Sequence, residues 1–313
     1  MKTSADMRHS PPPRVIPIYL SWDRREKLSA DISDDAMNAA DVRQFIRRLK
    51  DLSTIPALLG KILAIVRDEN ASPEKLHGLI SHDQALAERV VRVANSALFG
   101  HMGQVRDIGQ AVMFLGYDRI KSVAIGMNVM DVFPFRNSFN IKNLWIHSYE
   151  VAFLGGALSD VISMTCPREC FLSGLLHDIG RIIFYRMNPQ QFHEITITDD
   201  LLEREKEIFG CTHADAGAWF AEETDMPAEI AATIRFHHQP SMATDYKDAS
   251  SIVSLAEVLS RRFSPKVEDD GIWTQEHDSL LLEFSLMSED LMRLGERFCG
   301  AKPEIESFFH SLL

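Results

Sequence analysis

The chain has 313 residues, 45% of them hydrophobic, and a formal net charge of −12, enough apolar material for one large domain or two ordinary ones. That acidic balance excludes broad, sequence-independent binding to nucleic acid, which needs a basic face. No apolar run reaches the ~18–20 residues of a membrane span, and the N-terminus MKTSADMRHSPPPRVIPIYLSWD lacks the apolar core of a signal peptide, so the expected location is the cytoplasm.

In chain order, residues 1–13 read as disordered, with Pro11–Pro13 as a stiff lead-in. RVIPIYL, residues 14–20, is the best strand candidate, weakened by Pro17. From there helical spacing dominates. VRQFIRRLK, residues 42–50, sets Arg43, Arg47 and Lys50 on one face and Val42, Phe45, Ile46 and Leu49 on the other, which reads as an ordinary amphipathic surface helix, and nucleic acid is not an expected partner. Ile55, Leu59, Ile62 and Val66 form one apolar stripe, and Leu86, Val90, Val93 and Ala97 form a second behind a candidate N-cap at Asp83. SFNIKN, residues 138–143, opens a long helix that runs on through LWIHSYEVAFLGGALSDVI. Cys166 and Cys170 frame a CPREC segment with no second cysteine pair after it, so a structural zinc site is not expected there, and cytosolic thiols stay reduced. SMATDYKDAS (241–250) and SPKVEDDGIW (264–273) read as loops; EFSLMSEDLMRLGERF and EIESFFHSLL read as two further helices. The fold class is all-α: an extension over 1–32, a helical lobe over 33–135, a histidine-bearing lobe over 136–265 and a C-terminal helical segment over 266–313.

Of the 12 histidines, five fall on or beside inward faces. His147 shares a stripe with Leu144, Val151, Leu154 and Leu158; His177 and Asp178 lie in the apolar run LLHDIG; His213 lines up with Ala216, Gly217 and Phe220; His237 and His238 extend the stripe of Ile230 and Ile234; Glu257 follows Val253 by one turn. Singly, each reads as a hydrogen-bonded core residue. Together they need partners for every polar atom, and a metal centre built from facing helices supplies them at once. Imidazole and carboxylate suit a divalent transition metal, one or two ions, with iron ahead of manganese, nickel or zinc. Asp178, Glu257 and a water-derived hydroxide would offset much of the charge of two ions.

The order His147, His177–Asp178, then a later carboxylate resembles the HD superfamily of metal-dependent phosphohydrolases, and the added His213 and His237–His238 resemble its binuclear HD-GYP subset. LSTIPALLGKILAIVRDENASPEKLHGLISHDQALAERVVRVANSALFG, IGQAVMFLGYDRIKSVA, LWIHSYEVA, FLSGLLHDIGRIIF, EIFGCTHADAGAWFAEETDMPAEIAATIRFHHQP and SIVSLAEVLS resemble the narrower HDOD family, and together the resemblance covers about residues 49–262. It implies a bacterial signal-transduction module, non-catalytic, working through signalling-protein partners, with a small-molecule or nucleotide ligand as an input. It also implies ligand sets: His147, His177, Asp178 and Glu257 for one metal, and Asp178 as bridge with His213, His237 and His238 for a second. Glu257 departs from the usual Asp and reaches ~1–1.5 Å further. No GYP-like segment follows RFHHQP; Ser260 and Lys142 stand where HD-GYP enzymes resemble one another in a Lys and a Glu. The alternative, a phosphohydrolase acting on a nucleotide or cyclic dinucleotide, needs cations at the site; Arg181, Arg235 and Lys142 neighbour the proposed ligands, with their direction left open.

Overall fold

The computed structural model describes residues 37–51, 57–68, 72–96, 105–135, 138–162, 170–195, 200–265 and 271–311, all within a single unit spanning 36–313. The expected disorder at 1–13, the strand at 14–20, Cys166, Ile55 and Ala97 lie outside the described residues. Among those described, every regular element is helical: α1 (Ala39–Asp51), α2 (Ala57–Arg67), α3 (Pro73–Ser81), α4 (Gln84–Ala94), α5 (Ile108–Leu115), α6 (Tyr117–Val132), α7 (Phe139–Ile162), α8 (Cys170–Leu176), α9 (Ile179–Met187), α10 (Pro189–Ile195), α11 (Leu201–Phe209), α12 (His213–Glu223), α13 (Ala228–Phe236), α14 (Lys247–Phe263), α15 (Gln275–Glu283) and α16 (Ser288–Ser311). The all-α expectation holds.

The caps explain several of the boundaries. Asp83 Oδ1 accepts from Leu86 N at 2.9 Å and so starts α4, as its sequence position predicts. Thr212 and Asp215 form a reciprocal capping box that starts α12 at His213. Gly210, at φ 72°, ends α11 in the left-handed region that glycine tolerates. Two boundaries differ from the sequence reading. The polar segment 241–250 opens on a 3-10 turn, Pro240–Met242, and is a loop only from Ala243 to Tyr246, because α14 starts at Lys247 and Ser250 is fully buried. The two C-terminal helices are one, since α16 runs unbroken across Pro303.

Helix α6 is buried on nearly every side, from Ile120 to Val132, as a helix apolar all round must be. It packs on α2, α4 and α5 and also on α8, so helices on either side of residue 135 share one hydrophobic cluster. Helix α7 is the second axis, covered by α8, α14 and α16; its fully buried Trp145 donates Nε1–H to the carbonyl of Phe133 at 3.1 Å. The basic face of α1 lies against α12: the Arg43 guanidinium sits 3.9 Å from the centre of the Trp219 ring, Arg47 pairs with Glu223 at 3.1 Å, and Lys50 reaches Asp225 at 3.8 Å. Val42, Ile46 and Leu49 fill the other side of α1. Each of these three exposed basic residues makes a contact within the molecule.

Candidate metal centre

The stretch LLHDIG is a break between two helices. Helix α8 ends at Leu176, α9 begins at Ile179, and His177 and Asp178 form the turn between them. At such a break both side chains project into the space enclosed by α7, α12, α13 and α14. Close approach of α9 to α12 depends on Gly180, whose α-carbon faces the His213 backbone with no room for a methyl group. His213 opens α12, His237 and His238 close α13, and Glu257 sits mid-way along α14.

These elements bring together all seven residues singled out from the sequence. His213, His237 and His238 form one group; His147, His177 and Glu257 form a second; His177, Asp178 and His237 join the two, and within each group the candidate ligand atoms lie within 4.8 Å of one another. His147, His177, Asp178 and His213 are 0% exposed, His237 1% and Glu257 2%, and only His238 reaches intermediate exposure.

The protons can be placed from the hydrogen bonds. A carbonyl oxygen only accepts. His177 Nδ1 is 2.7 Å from the Gly174 carbonyl and His237 Nδ1 is 2.6 Å from that of Ile234, so both rings carry hydrogen on Nδ1 and turn the Nε2 lone pair inward. His177 Nε2 then lies 2.7 Å from Glu257 Oε2, itself an acceptor, and neither atom has an aligned hydrogen bond. His147 Nε2 is 3.2 Å from the same oxygen. Asp178 Oδ1 also lacks an aligned hydrogen bond, although His213 Nε2 stands 3.2 Å away. Acceptors that converge at such distances, out of reach of water, repel unless a proton or a metal cation lies between them.

The electrostatics agree. Burial pushes the His177 imidazole down, but the carboxylates of Asp178 and Glu257 outweigh it and its pKa is raised. Burial would lift the Glu257 carboxyl, but His147 and His177 in their protonated forms hold it well below the usual carboxylate range. Both shifts say that this cavity wants positive charge. The residues therefore fit a divalent transition metal: nitrogen and oxygen donors, inward lone pairs and Nδ1 atoms fixed by outer partners.

Two residues join the centre that the seven did not include. Arg181 is 2% exposed and its Nη1 donates to Asp178 Oδ2 at 2.9 Å; the direction left open by the sequence is inward. Arg235 points the other way, to Asp215 and Glu222. Glu205 of α11 is 0% exposed and accepts from both the backbone N–H and Nδ1 of His213, each at 2.8 Å. Its neighbours Glu203, Arg204, Lys206 and Glu207 disguise it as part of a solvated face. The spacing Leu201, Glu205, Phe209 puts it on the apolar stripe, and that was the available signal.

The HDOD domain family model matches residues 52–240. The chain belongs to the HDOD family. An uncharacterized protein of Treponema pallidum (strain Nichols) is 26% identical over 276 residues, 85% of this chain and 50% of the relative, so the HDOD chain spans about half the length of the curated relative it matches. Among solved structures, a proposed phosphohydrolase from Shewanella amazonensis SB2B aligns with a TM-score of 0.66 at 24% identity, covering 86% of this chain and 98% of the other. A proposed signal transduction protein from Marinobacter aquaeolei VT8 aligns with a TM-score of 0.68 at 20% identity, covering 91% and 68%. At these identities the likeness is one of fold. No described helix is long and apolar enough to cross a membrane.

Proposed function

We propose that this HDOD protein is a bacterial signal-transduction module that holds a two-metal centre and does not turn over a phosphodiester. One position uses His147, His177 and Glu257, the other His213, His237 and His238, and Asp178 bridges them. Bound metal supplies the positive charge that the converging acceptors require. His177 and His237 hold their Nε2 lone pairs inward through their Nδ1 bonds to backbone carbonyls. Arg181 fixes the Asp178 carboxylate by its second oxygen.

The observation that carries the non-catalytic reading is burial: six of the seven candidate ligands are no more than 2% exposed. A phosphodiester has to reach the ions and find cations for its oxygens. Arg181 is committed to Asp178, and Ser260, where related phosphodiesterases resemble one another in a Lys, is fully buried. A buried ion stiffens the junction of five helices and so suits a module whose output is its surface, read by a signalling-protein partner. Its expected setting is the cytoplasm, with iron the first choice of metal and a small molecule or nucleotide as the input.

The test is metal per chain by elemental mass spectrometry on protein purified without chelator or nickel resin, with Asp178→Ala alongside, and hydrolysis of bis(p-nitrophenyl) phosphate by the metal-loaded chain. Two metals in the natural chain, their loss in Asp178→Ala and no hydrolysis are expected. Hydrolysis that disappears in Asp178→Ala overturns the non-catalytic reading. A chain that takes up no metal overturns the centre.

A further inference from the structure

The Glu205 carboxylate is fully buried, and among the described residues both groups hydrogen-bonded to it belong to one residue. Its Oε2 accepts from His213 N at 2.8 Å and from His213 Nδ1 at 2.8 Å, and its Oε1 lies 2.9 Å from the same Nδ1. A carboxylate grips the first residue of α12 by backbone and ring together, which fixes the rotation of the imidazole about its side-chain bonds. The ring proton is held on Nδ1, so Nε2 carries the lone pair. That nitrogen stands 3.0 Å from His238 Nε2, 3.4 Å from His237 Nε2 and 3.2 Å from Asp178 Oδ1.

His177 and His237 place their Nδ1–H on neutral carbonyls. A carboxylate in that role draws the proton more strongly and makes the opposite nitrogen a better donor to a cation. It also places a third buried negative charge beside the centre, next to Asp178 and Glu257. We infer that Glu205 is a positioning residue for the metal position of His213, His237 and His238, and that removal of its charge weakens that position while the one of His147, His177 and Glu257 keeps its ion.

This rests on the two-metal reading above, and the experiment separates the two. Glu205→Gln keeps the length of the side chain and an oxygen for the His213 backbone N–H, so the fold of the full chain is preserved; circular dichroism and the unfolding midpoint of the metal-free proteins check this. Both proteins are stripped of metal and titrated with Mn2+ against a chelating dye, with electron paramagnetic resonance at each loading. The natural chain is expected to take two ions and show the signal of a spin-coupled pair. Glu205→Gln is expected to bind one ion with unchanged affinity and the other 10–100-fold more weakly, and to show the six-line signal of an isolated Mn2+ at one equivalent. A purely structural role would lower the midpoint and leave the ratio of the two affinities unchanged, which overturns the inference, as does a variant that binds both ions like the natural chain. If the natural chain itself binds no Mn2+, the two-metal reading fails and the inference with it.

Discussion

Gly180 and the carbonyl of His213 are in van der Waals contact across the α9–α12 interface: a Cβ on Gly180 would stand 2.0 Å from that oxygen. The obstacle is backbone at the first turn of a capped helix and cannot rotate away. Gly180→Ala is expected to destabilise the fold by about 1–3 kcal/mol, the range of an overpacked core. Gly60, on the exposed side of α2 with nothing within 4 Å of its would-be Cβ, is the control: Gly60→Ala is expected to stabilise by about 0.5–1 kcal/mol. Urea unfolding of the two variants checks both signs, and equal effects would show that the α9–α12 approach is not tight.

His277 couples stability to pH. Burial lowers its pKa below the ordinary 6.5, against the opposing carboxylates of Glu276 and Asp278. Its Nδ1 accepts from Thr274 N at 3.0 Å, completing the cap of α15, so its Nε2–H donates to Ser254 Oγ at 3.1 Å. Protonation of Nδ1 would break the cap. Because the folded-state value is depressed, the contribution is fully present above the unfolded pKa near 6.5 and is lost as pH falls from there towards the folded value. Between pH 7.5 and 5.5 the natural chain is therefore expected to lose more unfolding free energy than His277→Gln. Parallel losses in the two proteins would exclude this residue as a source of acid sensitivity.

The thiols should react unequally. Burial, reinforced by the nearby carboxylates of Asp215 and Glu205, pushes the Cys211 thiol up to about 12. Cys299 is exposed. Iodoacetamide at pH 8 is expected to alkylate Cys299 and spare Cys211 in the native protein, and to label all four cysteines after denaturation. Peptide mass mapping reads the difference; native labelling of Cys211 at the rate of Cys299 would contradict the burial.

The Arg43–Trp219 stack fastens α1 to α12. At an exposed site such a contact is worth about 0.5–1 kcal/mol, so Arg43→Ala is expected to lower stability by that amount and to shift the emission of Trp219, while Arg48→Ala, also on the exposed side of α1, does neither. Neither variant is expected to change the polarisation of a fluorescein-labelled DNA duplex, because the basic stripe serves the fold.

His147, His213, His237, His238 and Glu257 were legible because each lies on or extends an apolar stripe at helical spacing, and His177 and Asp178 because they interrupt an apolar run; a polar residue in either place advertises itself. The helix class, the long α7 and the Asp83 cap follow from the same periodicity. The break at His177–Asp178 was not legible, because apolar residues flank it on both sides and neither of its two residues is a glycine or proline. Glu205 escaped because four charged neighbours masked its place on the Leu201–Phe209 stripe. The direction of Arg181 was left open because the start of α9, which sets the face its third residue lies on, was itself not readable. The start of α14 was misplaced because Lys247, Asp248 and Ser250 look like loop residues, whereas they form the first turn of the helix and Ser250 is fully buried.

The seven residues are scattered from position 147 to position 257 across five separate segments of the chain. During synthesis on the ribosome the set stays incomplete until Glu257 has emerged, by which time all of α1 to α13 is already outside. On the two-metal reading, capture of an ion by all seven residues would therefore be a late event in the life of each molecule, and a product broken off before α14 would keep the histidines and Asp178 but lack Glu257.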